Sequence, residues 1–511
     1  VARITRANWN YDTAAHLLDR AGFGHKGSVR KKTGEAADIR RLFVTKKKQP
    51  ADFVEKLFPR KPAKMPKKFS FHSVREVRKR WIKQMLRANG RRTVQEKMVL
   101  FLHGHFTTQE SVVRSGRLLE RQISLFRTFA TGDFRALVKQ VNVDNAMLLF
   151  LNGNENEVGN VNENYGRELM ELFTLGVFDF TGANNYSQTD VTEVARILTG
   201  WVGGSSFSGT SRFISSRHDP GSKTVFAPDL IETPLQNPAN TFTTGDLQDK
   251  EHELLVDRIF DHRDTEGRPT AARFITRKLW KFFAYDPEVE VGTGRADLAL
   301  IDGLADVFVN GTPENPVPYN LGNLLREMFV QEEFYHFKAE QGHTVKSPTD
   351  FVIGSVRKLS GSMPTATNVR HHQRAFENPM ERMGQNLLEP PDVKGWDGNL
   401  AWVSTANLLD RTDFAKELAQ RDKKGGKELG INIRKILRTW FGDPPFTRAG
   451  VVDQLLRILG PVRVDPGIRQ GMIDWLGPDD SVVRFDDPVW VAVRLRGLLY
   501  NVLSLPQYHV F

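Results

Sequence analysis

Apolar positions along this chain recur mainly with the period of an α-helix. Tyr11, Ala14, Ala15, Leu17 and Leu18 mark a helix over 10–25, stopped by Gly22 and Gly24. A longer pattern covers 73–104, with Val74, Val77, Trp81, Met85 and Leu86 followed by Met98, Leu100, Phe101 and Leu102. Further helices are expected at 114–130, 133–140, 163–175, 190–201, 251–262, 270–284, 297–309, 319–331, 402–420, 431–440, 448–459 and 488–504. Over 163–175, Tyr165, Leu169, Leu172 and Phe173 form one apolar stripe, and Gly176 is placed to end the helix. The 190–201 helix would carry Val191, Val194, Ala195, Leu198 and Trp201 on one face.

Two long stretches, 202–250 and 360–400, lack strong periodicity, and segments of that length are usually functional or mobile. Strand-like alternation is confined to fragments such as Arg212–Ser215 and Thr224–Phe226. The expected architecture is therefore mainly α: a large multi-helix body with long irregular loops and few short strands. Three regions are expected: a basic helical N-terminal region, 1–92, packing on the body; a central helical core, 93–360, with the motif-bearing helices and the 202–250 loop; and a C-terminal loop and helical region, 361–511.

Composition narrows the chemistry. The chain has 511 residues, 40% of them hydrophobic and 26% charged, as in a soluble globular protein. No apolar run approaches the roughly 20 residues that span a bilayer. No charged-then-apolar leader precedes Asn8, so any signal peptide is expected to have been removed or never present. Cysteine is absent, which excludes disulfides, thiolate metal sites, iron–sulfur clusters and thioether-linked haem. No P-loop, dinucleotide-binding glycine run, nucleophile elbow or His-Glu-x-x-His motif occurs, which argues against nucleotide-driven chemistry and the common hydrolase triads.

The net charge of +11 is unevenly spread: residues 1–100 hold 27 basic and 8 acidic side chains, while the remainder is net acidic. This asymmetry favours an anionic polymer or acidic partner at the N-terminal region. The competing reading is a set of solvated helix faces, or charges that complement the acidic remainder of the chain.

Six blocks stand out: Ala15–Gly24, Leu102–Phe106, Asn162–Gly176, Tyr186–Trp201, His218–Lys223 and Glu389–Gly398. Together they resemble the domain of unknown function 1800 family of bacterial proteins, and the resemblance covers nearly the whole chain. It implies an exported protein, periplasmic or extracellular, often encoded beside a sulfatase-like partner. It supplies no catalytic residues.

The blocks carry ionisable groups. Asn164, Glu168 and Glu171 form a polar stripe on one helix, fit for metal ligation or acid–base work. Glu163 and Arg167 read as an i, i+4 ion pair, with Arg167 also close enough to serve the stripe. His103 and His105 can share a metal only from extended or turn geometry, because i, i+2 positions diverge on a helix, and Gly104 with Thr107-Thr108 is expected to end the helix here and permit convergence. Packed, hydrogen-bonded histidines are the competing reading. Asp190–Glu193 has the form of a capping box with Asp190 as N-cap, leaving Glu193 a minor ligand candidate. His218 and Lys223 flank a tight turn and are expected to close over a site. Pro390-Pro391 stiffens a loop bearing Lys394 and Trp396, which suits a sugar or other planar ligand and equally a structural plug; Trp201 is a further ligand-binding candidate.

The leading expectation is a metal-dependent enzyme. Its catalytic candidates are Glu168, Glu171, Asn164, Arg167 and Lys223, and its metal candidates are His103, His105, Glu168, Glu171, His218 and Glu193. The metal would be divalent, with zinc, iron, copper and calcium indistinguishable. The alternatives are a binding or assembly protein using the basic N-terminal region, and an accessory partner of a sulfatase-like protein.

Overall fold

A computed structural model of the chain describes residues 2–25, 49–61, 63–66, 69, 73–88, 92–203, 210–226, 241–242, 248–335, 344–360, 373–420, 433–441, 446–460, 462–477, 483 and 486–511. The helix-period pattern is realised throughout. Helix α1 (Tyr11–Arg20) begins where the Asn10 side chain accepts the backbone N–H groups of Asp12 and Thr13, while Thr13 Oγ1 accepts the N–H of Asn10. This reciprocal cap satisfies N–H groups that have no partner inside the helix.

The expected 73–104 helix is two helices, α2 (Val74–Arg87) and α3 (Thr93–His105), because Ala88 leaves helical geometry at ψ 124°. Helix α2 is amphipathic and lays Val74, Val77, Trp81, Ile82, Met85 and Leu86 on the body. Helix α3 is buried on all sides, as in a core helix. Its polar residues are therefore paired internally. Glu96 takes a bidentate hydrogen bond from Arg127 of α4 (Gly116–Phe129), and Lys97 is ion-paired with Asp350 of α11, described below.

Helix α5 (Glu163–Glu168) continues without a break into a π-helical turn, Leu169–Thr174. Helix α6 (Gln188–Ile197) crosses it where Gly166 lies; a Cβ there would stand 3.2 Å from the backbone N of Ala195. Two expectations fail at α6. Its N-cap is Ser187, and Asp190 completes the capping box from the third helical position. Trp201 is not helical, since Gly200 at φ +86° ends the run and Trp201 opens strand β1 (Trp201–Gly203).

Strand content is small. β1 pairs antiparallel with β2 (Ser211–Phe213), and β3 (Lys223–Thr224) with β4 (Thr241–Phe242). Helices α7 (Glu251–Asp261), α8 (Thr270–Phe283), α9 (Leu298–Asn310) and α10 (Leu321–Met328) follow the expected pattern with shorter ends. Helix α11 (Pro348–Ser360) lies where no helix is expected from the sequence. Helices α12 (Thr405–Ala419) and α13 (Arg496–Ser504) pack together in the C-terminal part.

Buried apolar side chains form one continuous cluster from Ile4 to Tyr508, drawing on all three regions expected from the sequence. Among the described residues no helix is long and apolar enough to cross a membrane.

The Lys97–Asp350 pair joins α3 to α11 inside this core, with side chains 2% and 8% exposed. Removing one member of such a pair strands the other charge without compensation, a cost of about 3–5 kcal/mol. Lys97→Met is therefore expected to lower unfolding stability by about that amount, measured by chemical denaturation, while adding Asp350→Leu recovers most of the loss. A Lys97→Met protein as stable as wild type would show that the pair does not tie these helices.

Candidate functional site

The end of α3 organises the region. The helix stays regular through His105, so His103 and His105 point to different sides, as i, i+2 positions on a helix must. His105 reaches the π-helical turn, where its Nε2 donates to the Phe173 carbonyl at 3.0 Å. Lys278 of α8 donates to the preceding carbonyl, Leu172, at 3.1 Å. Carbonyls at a helix end lack partners within the helix, and these two side chains supply them. Asn185 Nδ2 serves the next two, Leu175 and Gly176, each at 3.1 Å. Gly176, at φ +80°, ends the turn in the left-handed conformation expected of it.

His103 faces the opposite way, toward the loop 389–398. Its Nε2 accepts the backbone N–H of Leu388 at 3.1 Å, and its ring is flanked edge-on by Trp81 and Trp396. The loop and helix meet backbone to backbone: a Cβ on Gly395, at φ +88°, would lie 2.1 Å from the Gly104 carbonyl oxygen. Gly104 is itself covered by the Trp396 ring. Glycine at 395 is a steric requirement, whereas a Cβ at 104 would only touch the Trp396 ring, 3.5 Å away.

This clasp sets the loop against α5. Lys394 and Asp392 both lie close enough to act on Glu168, whose carboxyl is pushed above its usual range, first by burial and then by the charge of Glu171. Glu171 accepts a hydrogen bond from the Tyr186 hydroxyl at 3.3 Å. Glu171 and Lys394 line an open cleft of about 680 Å³ with an apolar floor that includes Leu172, Leu175, Phe180 and Phe274. Its far wall is rigid. Arg273 is held by Asp264, Glu266 and Asp302, and Arg277 pairs with Glu290 at 2.5 Å.

The residues singled out from the sequence thus fall into separate groups. Glu168, Glu171 and Lys394 come together. Arg167 acts on Glu168 electrostatically and is held by Glu163 at 3.4 Å and Gln188 at 2.8 Å. Asn164 is exposed and does not line the cleft. The histidines do not join the carboxylates, and among the described residues no group of three or more His, Asp or Glu side chains is arranged to hold a metal.

His218 and Lys223 form a buried cluster of their own with Glu251. The Lys223 ammonium donates to Glu251 at 2.8 Å, to His218 Nε2 at 3.2 Å and to the Asp219 carbonyl at 2.5 Å, using all three protons. His218 Nδ1 lies 2.9 Å from the Thr199 carbonyl, so both its ring nitrogens are occupied. This cluster fixes the turn and does not close over the cleft. Glu193 is bound by Arg196 and by the backbone N–H of Thr224. Trp201 packs on Phe213 and His252, and Trp396 on His103, so neither ring offers a ligand platform in the cleft.

Three contributors escaped sequence reasoning: Tyr186, Lys278 and Phe178. Phe178 is the exposed aromatic of the cleft, at 61%. Tyr186 opens a block already noted, whereas Lys278 reads as an ordinary helix-surface lysine.

Four of the six blocks therefore meet in one place: Leu102–Phe106, Asn162–Gly176, Tyr186–Trp201 and Glu389–Gly398. A family model described as "Protein of unknown function (DUF1800)" matches residues 16–510. The chain belongs to the DUF1800 family. No curated protein and no solved structure matches it. For this DUF1800 protein, the blocks have a geometric role: His105 joins helix to turn, and His103 and Gly395 join helix to loop.

Burial holds the His103 imidazole at a pKa of about 3, with Arg78 adding to the effect. The unfolded chain, near 6.5, takes up the proton first as pH falls. This histidine's share of stability is complete above pH 6.5 and is lost between about 6.5 and about 3, at about 1.4 kcal/mol per pH unit. His103→Gln keeps an acceptor for the Leu388 N–H and removes the titration. Its unfolding free energy is expected to fall less steeply than wild type below pH 6.5, measured by urea denaturation across pH. Parallel pH profiles would contradict the assignment.

Proposed function

We propose that this protein is an enzyme that performs acid–base chemistry with Glu171 at the wall of the cleft, assisted by Glu168 one turn earlier on the helix. The observation that carries this reading is the raised proton affinity of half-buried Glu168, one turn from the cleft-lining Glu171. Burial and the charge of Glu171 make Glu168 the carboxyl that holds a proton more readily. Glu171, oriented by Tyr186, accepts a proton from a bound ligand. Lys394 supplies a positive charge on the same wall. Shifts of this kind gather at catalytic sites, although structural clusters show them too.

Carboxyl-carbon NMR of glutamate-labelled protein tests this directly. Glu168 is expected to titrate above the usual glutamate range, and Glu171→Gln to bring it down. On any substrate found, Glu171→Gln should lower turnover by about 100-fold or more, the range for losing a positioned acid or base. A Glu168 carboxyl that titrates normally in both proteins would remove the basis of the proposal.

A second reading is favoured by α2. Arg75, Lys79, Lys83 and Arg87 follow one another at i, i+4 along its outer side. Burial, then Lys79 and Arg87, lower the Lys83 pKa. Stacked like charges weaken an isolated helix, and an anionic polymer would relieve them. The basic runs 30–32, 46–48 and 67–68 lie outside the described residues. Replacing the four α2 residues with glutamine is expected to lower the salt concentration at which the protein leaves a heparin column. Unchanged elution would reject this surface. Export and a sulfatase-like partner are proposals resting on the family resemblance, and co-purification of the two proteins tests the latter.

A further inference from the structure

We infer that the ligand of the cleft is a carbohydrate chain, with Phe178 as the platform on which one sugar ring stacks. The inference deepens the acid–base reading and rests on it for the chemistry, but it stands on different residues. Phe178 is 61% exposed and Val291, also lining the cleft, 60%. Large apolar side chains this open are costly to leave in water, and here two belong to the same groove as Glu171 and Lys394.

The platform is held in place by its turn. Asp179 Oδ1 accepts the N–H groups of Thr181 and Ala183, Asp179 N–H donates to the Ala183 carbonyl, and Asn185 N–H donates to the Val177 carbonyl at 2.9 Å. Asp179 Oδ2 ties the turn to Thr265, and the Val291 N–H donates to the Phe180 carbonyl at 3.2 Å. The exposed ring therefore sits on a backbone fixed from both sides and needs little ordering when a ligand arrives.

The cleft is open and rimmed by charge, with Glu171 and Lys394 at one end and the Arg277–Glu290 pair at the other. A lipid tail would leave these groups facing hydrocarbon, at a cost in desolvation. A pyranose ring offers a flat C–H face to an aromatic ring and hydroxyls to carboxylates and cations at its edges. That is the combination of surfaces the cleft presents.

Binding to a panel of soluble oligosaccharides, neutral (cello- and chito-oligosaccharides) and acidic (oligoalginate and oligogalacturonate), tests the inference by calorimetry on the full chain. Glu171→Gln protein is used alongside wild type, so that binding is read with turnover suppressed. At least one series is expected to bind both proteins, and Phe178→Ala to weaken that binding about tenfold with thermal stability unchanged. Failure of the whole panel to bind at millimolar concentration would overturn the inference, as would Phe178→Ala binding as tightly as wild type. If sugars bind through Phe178 while Glu171→Gln leaves their turnover intact, the acid–base reading fails and the carbohydrate inference stands.

Discussion

At the end of α3, two glycines bring a helix and a loop into backbone contact, and a histidine on either side secures what lies next to them. The Gly104 carbonyl leaves no room for a side chain at Gly395. That single steric fact sets where the loop 389–398 runs, and with it the position of Lys394. On the other side, His105 holds the Phe173 carbonyl and so the π-helical turn that carries Glu171. The last carbonyls of this turn have no partner within the helix, and π-helical turns occur often at functional sites. Here His105, Lys278 and Asn185 meet that need, which allows the turn to persist and Glu171 to face the cleft.

The cost of this arrangement is met in the core behind it. Helix α3 is buried on all sides yet carries Glu96, Lys97 and both histidines. Each ion is paired: Glu96 with Arg127, Lys97 with Asp350. The histidines are kept neutral by burial, so they serve as a donor and an acceptor of fixed direction. A carbonyl can only accept, which places the proton of His105 on Nε2. A backbone N–H can only donate, which leaves Nε2 of His103 bare and its proton on Nδ1. The same burial that makes the imidazoles poor bases makes them dependable struts.

Much of this was legible in the sequence. Helical periodicity located most of the helices, since burying one face is a local demand that repeats every three to four residues. The blocks 102–106, 162–176 and 389–398 were visible through the ionisable residues and glycines they carry. What the sequence does not show is which partners they find. His103 and His105 look like metal ligands when their only known neighbours are residues along the chain, and like packing groups once Leu388 and Phe173 are in view. His218 similarly loses its claim when Lys223 and Glu251 take its second nitrogen. Trp396 attracts notice as a ligand platform but covers His103, whereas Phe178 passes unnoticed because exposure is not written in residue type. The π-helical turn is invisible to a period-3.6 reading, for the apolar stripe of Tyr165, Leu169 and Phe173 survives it.

The account's central claim is that the two histidines of α3 position the site as neutral hydrogen-bonding groups and are not metal ligands. Nitrogen NMR of the histidine side chains tests this most directly. The account predicts His105 protonated on Nε2 and His103 on Nδ1, with neither gaining a second proton as the pH falls through the usual histidine value near 6.5, and neither signal moving when zinc is added. Titration of either ring near pH 6.5, the opposite tautomers, or a zinc-induced shift at both would contradict it.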